Sequence, residues 1–81
     1  MLHSKEKEKI LREAQFHYHF ERSLYFNRQQ RKVFSIEAIE DHDVDWLRDR
    51  VQQQNPGDEW LFFFNTPPSD SVKIEIKKIF Q

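Results

Sequence analysis

Residues 60–64 read Trp-Leu-Phe-Phe-Phe, five large apolar side chains with no polar residue between them. Successive side chains of a strand point to opposite faces of its sheet, so a strand with one wet face alternates apolar and polar residues. An unbroken apolar run predicts a strand covered on both sides, either by helices of the same chain or by a second copy.

Elsewhere the pattern is periodic. Ser4 is placed to cap a helix over about 5–14, with Glu6 and Glu8 near its positive end and Ile10, Leu11 and Ala14 as a thin apolar stripe. Phe16, Tyr18 and Phe20 then alternate with His17, His19 and Glu21, a period of two in strand-forming aromatic residues, and Leu24-Tyr25-Phe26 continues it. Val33-Phe34-Ser35-Ile36 is the next strand, reached through the polar turn 27–32. The competing reading is one helix from Ser4 to Arg31, since no breaker interrupts that region.

Ser35 is placed to cap a short helical turn over 36–39, and Asp41 or Asp43 opens a clearer helix in which Val44, Leu47 and Val51 share one face. Asn55-Pro56-Gly57-Asp58 ends it. After Thr66-Pro67-Pro68, Ser69 or Asp70 caps a final helix carrying Val72, Ile76, Ile79 and Phe80 on one face, with Lys77 and Lys78 near its carboxyl end. Val72, Ile74 and Ile76 also alternate as a strand would, which is the weaker reading. The sum is an α+β chain of order α-β-β-α-β-α. It has a small three-stranded, mainly antiparallel sheet, made of a hairpin plus the Phe-rich strand, and two to three helices.

Composition narrows this. Eighty-one residues make a single domain over 1–81, with residues 1–4 expected to be disordered. Eight Phe, two Tyr and two Trp can build a core where aliphatic residues are few. The absence of cysteine excludes disulfides, thiolate chemistry and Cys-ligated zinc. No apolar run is long enough to span a membrane and no signal-type segment opens the chain, so a cytoplasmic location is expected. A net charge of −1 argues against binding that depends on phosphate contacts alone.

Candidate chemistry is sparse. No Gly-x-Ser-x-Gly context surrounds any serine, and a chain with one glycine, Gly57, has no phosphate-cradling loop. His42 beside Asp43 is the one acid–base pairing to be noted. The reading is therefore non-enzymatic, with no cofactor. His17 and His19 on one side of a strand could share a zinc ion, but two histidines specify no third ligand and read better as solvent-facing; no metal site is assigned. The acids among residues 37–45 read as helix-start carboxylates.

The surplus of aromatic side chains points to a protein–protein interaction module, self-associating as a homodimer or holding another protein, through Trp46, Trp60, Phe62 and Phe64. Trp46 lies beside its helix's apolar stripe, and its expected place is the core's edge, with an exposed anchor as the alternative. A nucleic-acid-associated module is the second reading: Arg22, Arg28, Arg31 and Lys32 flank Tyr25 and Phe26, where charge would meet phosphate and rings would meet bases.

Overall fold

The computed structural model describes residues 4–81. Its elements are α1 (Lys5–Glu13), β1 (His17–His19), β2 (Leu24–Asn27), β3 (Lys32–Ser35), α2 (Ile36–Asp41), α3 (Val44–Gln52), β4 (Leu61–Phe63) and α4 (Asp70–Ile79). The fold class is α+β, with four helices and one four-stranded sheet in the order β1-β2-β3-β4. The expectation of disorder over 1–4 falls, for residues 1–3, outside the described residues.

All four helices start on side-chain caps. Ser4, Ser35, Asp43 and Ser69 sit in extended backbone and accept from the amides of Lys7, Ala38, Trp46 and Val72, three residues on. Each cap satisfies a donor that the helix itself leaves unpaired.

The sheet differs from the expected one in two ways. The aromatic stretch 16–26 is two strands rather than one. The chain reverses over 20–23, and β1 and β2 pair antiparallel, with His17 opposite Phe26 and His19 opposite Leu24. The turn hides in the sequence because Ser23, and no glycine, holds its positive φ of 52°. The second difference is that β4 runs parallel to β3, with Val33 opposite Phe62 and Phe34 opposite Phe63. Between them the chain forms α2 and α3, and a crossover through helices returns a strand parallel to its neighbour. The sheet is therefore mixed, with β2 and β3 antiparallel inside it.

Two cores lie on opposite faces of this sheet. Phe34 and Tyr25 face α1, α2 and α3, where Leu11, Ile39, Leu47 and Val51 are buried with Phe16. Leu24, Phe26 and Val33 face α4, which contributes Ile76, with Phe80 just beyond its end. Four residues of the run 60–64 divide between them: Phe63 packs against the first core, and Trp60, Phe62 and Phe64 against the second. Helices of the same chain thus partly cover both faces of β4, whose three residues are half-buried. The face Val72–Ile76–Ile79–Phe80 lies in the second core, while Ile74 is exposed, so the helical period holds over 70–79.

The helix carboxyl ends are closed from outside each helix. α1 ends with the amide of Phe16 donating to Leu11 and that of Gln15 to Arg12, both at 2.9 Å, with Gln15 at φ 65°. This is a Schellman closure with glutamine where glycine is usual. The Asn27 side-chain amide also donates to the Ala14 carbonyl at 2.9 Å. Lys7 Nζ donates to the Ile39 carbonyl at 2.7 Å and to that of His42, beyond α2. Lys32 Nζ donates to the carbonyls of Arg50 and Val51, both at 2.9 Å, and of Gln53 at the end of α3. Arg28 Nε donates to the Phe80 carbonyl after α4 at 2.9 Å. A cation at each of the last three positions also opposes the negative end of the helix dipole.

Candidate interaction surface

The aromatic alternation 16, 18, 20 is not a core face. Only Phe16 is buried; Tyr18 is 48% exposed and Phe20 is 80% exposed. β1 is an edge strand of three residues, and Phe20 already lies in the turn, outside the pleat. Tyr18 rests on Tyr25 with ring centroids 5.1 Å apart and meets Phe20 edge-on at 6.4 Å. The three rings form a strip leading from the rim of the first core to the tip of the hairpin.

The tip is held from several directions. The Ser23 amide donates to the Phe20 carbonyl at 3.2 Å, and the Ser23 carbonyl accepts from the amide of Ile36 at 3.1 Å. The Arg22 amide donates to Nδ1 of His19 at 3.3 Å, and the Arg22 guanidinium pairs with Glu75 on α4. Phe20 is thus presented by a braced turn. Among the described residues, one side of the β1 backbone has no strand partner.

The four aromatic residues expected to make contacts lie elsewhere. Trp46 is half-buried at the edge of the first core, stacked on His42 at 3.9 Å and edge-on to Phe34 at 5.9 Å, with the Arg50 guanidinium 5.6 Å from its ring. Trp60 stacks on Phe80 at 4.8 Å; Phe62 meets Phe64 edge-on at 5.9 Å and lies under the ammonium of Lys73. All four are partly covered by this chain's own helices.

The four cations of the nucleic-acid reading do not form one patch of free charge. Lys32 is 1% exposed and points into the end of α3, so it corrects the expectation of a solvated hairpin residue. Its pleat position places it on the helix-covered face, and the carbonyls there are its only match. Burial lowers its pKa below the ordinary 10.5. Arg22 is paired with Glu75, and Arg31 lies 3.8 Å from Asp58. Arg28 lies over the rings of Phe26 and Phe80, at 5.0 and 5.9 Å.

His17 and His19 share the sheet face of Phe26 and Leu24, but they do not share a ligand set. His17 packs on Phe26 at 5.7 Å, and His19 accepts from the Arg22 amide. Among the described residues no three His, Cys, Asp or Glu side chains gather as a metal site would need. The exposed strip was missed in sequence because its aromatic residues have strand period; the turn that leaves them uncovered has no glycine to mark it.

No protein-family model matches this sequence, no curated protein matches it, and no solved structure matches it. Among the described residues no helix is long and apolar enough to cross a membrane.

Proposed function

We propose that this protein is a small non-enzymatic protein–protein interaction module whose contact surface is β1 and its turn into β2. The observation that carries this reading is Phe20, 80% exposed at the tip of an edge strand, with Tyr18 beside it. An aromatic ring left in water on a braced turn gains free energy when a partner covers it. An edge strand offers unpaired backbone donors and acceptors to a strand from another chain. Together they supply a register and an anchor.

The first partner to test is a second copy, joined β1 to β1. Light scattering over a range of concentrations, compared between the native protein and Phe20→Ser, is the experiment. The mass should rise with concentration in the native protein and stay monomeric in the variant, whose stability should change by less than about 0.5 kcal/mol, as for a surface position. A native mass that stays monomeric at every concentration would rule out self-association. The run 60–64 does not itself require a partner, because α3 and α4 already flank it.

The nucleic-acid reading has less behind it. Two of its four cations are paired with carboxylates, and Lys32 is spent on a helix end. Titration with short single-stranded DNA at low salt separates the two: the nucleic-acid reading predicts salt-dependent binding that perturbs Arg22, Arg31, Tyr25 and Phe26, and interaction through Phe20 predicts no such perturbation there.

A further inference from the structure

Six arginines occur in the chain, and four of them meet a carboxylate. Arg22 pairs with Glu75, Arg31 with Asp58, Arg48 with Glu6 and Asp45, and Arg50 with Asp49. Arg12 and Arg28 have no carboxylate within 4.0 Å among the described residues. Both line the same open cleft of about 530 Å³, between the carboxyl end of α1 and the β2–β3 turn. His17 lines it too, with Gln15 and Gln29, and no carboxylate does.

We infer that this cleft binds a phosphate group. Arg28 is already oriented: Nε is fixed on the Phe80 carbonyl and the guanidinium plane is held over Phe26 and Phe80, which leaves its terminal N–H groups to be directed at a ligand. Arg12 approaches from the last turn of α1, where its charge opposes the helix dipole, and no carboxylate among the described residues holds its guanidinium. Two guanidinium charges match the −1.5 to −2 of a phosphate monoester better than the single charge of a carboxylate. His17, Gln15 and Gln29 add side-chain donors around the rim. Three features work against an anion here. Glu8 and Glu13 lie on the same helix as Arg12, and the negative end of the α1 dipole is close. The Asn27 amide on the Ala14 and Gln15 carbonyls blunts the dipole. This inference is independent of the interaction surface proposed above.

The test is a nitrogen-15 NMR titration of the full chain at low ionic strength with inorganic phosphate, phenyl phosphate and benzoate. Expected are saturable shifts confined to Arg12, Gln15, His17, Arg28 and Gln29 with both phosphates, and at least about tenfold weaker binding of benzoate, the single-charge control. Tighter binding of phenyl phosphate identifies an ester as the source, and equal affinity identifies free phosphate; both support the inference. Arg12→Gln should weaken phosphate binding about tenfold while lowering the melting temperature by no more than about 5 °C, since no ion pair is lost and only one charge at the end of the α1 dipole is removed. Shifts that do not saturate, that are equal in Arg12→Gln, or that are matched by benzoate would overturn it.

Discussion

Lys32 concentrates the residue-scale physics of this protein. Taking an ammonium out of water is costly unless its hydrogens are matched, and here three carbonyls at the end of α3 receive them. Lys32→Met keeps the apolar stem and removes the donors, leaving those carbonyls to whatever water reaches them. The expected loss is about 1–3 kcal/mol in urea unfolding. An unchanged or raised stability would show that the desolvation of Lys32 outweighs its bonds. The same residue sets a pH dependence. Its pKa is lowered from 10.5 in the folded protein, so between that folded value and 10.5 the unfolded chain binds more protons, and stability rises with pH. Tyr25 opposes this. Burial, then the charge of Glu8, then Tyr18, raise its pKa above 10.0, so from 10.0 up to its folded value the folded chain binds more protons and stability falls. Tyr25→Phe removes the falling contribution, and its unfolding midpoints should climb more steeply than those of the native protein as the pH passes 10.0.

At the scale of elements, helix starts and helix ends obey different rules. The starts use short local signals, and their removal is correspondingly local: Ser35→Ala should cost about 1 kcal/mol, read from the denaturation midpoint, because the Ala38 amide loses its acceptor. The ends rely on long-range donors and on backbone that glycine would adopt more readily. Gln15 holds such backbone after α1, at φ 65°, and Ser23 and Arg31 hold it in the two hairpin turns, at 52° and 55°. Ser23→Gly should therefore stabilise the hairpin by about 0.5–1 kcal/mol, and a loss of stability would mean that the hydroxyl has a task of its own. The N-caps Ser4 and Ser35 were legible in sequence, and Asp43 and Ser69 each as one of two candidates, since a Ser or Asp before an amphipathic run needs only its own neighbours. The turn at 20–23 and the cap at Lys32 were not, since neither carries a local mark.

At the scale of the whole molecule, one sheet carries two cores, and a domain of this length has a total stability of about 4–12 kcal/mol by the per-residue rule. Phe34 is fully buried between Phe16, stacked Phe63 and the edge of Trp46. Phe34→Ala should cost about 3–5 kcal/mol and leave a large unfolded fraction in circular dichroism at 37 °C. Phe20→Ala, the same chemical change at an exposed ring, should leave the spectrum unchanged. Near-equal effects of the two would contradict the assignment of Phe20 to the surface.

The amino-acid sequence by itself determined the class of this protein: its helix starts, its principal apolar faces and the partial cover on both sides of residues 60–64 all follow from periodicity and capping, which act over a few residues. Only the tertiary structure decided the parallel β3–β4 pairing, which depends on where two helices carry the chain. The same holds for the fate of the aromatic residues and cations. Trp60, Phe62 and Phe64 were expected at a contact surface and are partly covered by α4, while Phe20 was expected in a strand and stands in solvent. Lys32 and Arg28 share a turn in sequence, yet one faces the end of α3 and the other lies over Phe26 and Phe80, beside the cleft that also holds Arg12. Which face a side chain takes depends on strand register and on what packs opposite, and both are settled by contacts between residues far apart in the chain.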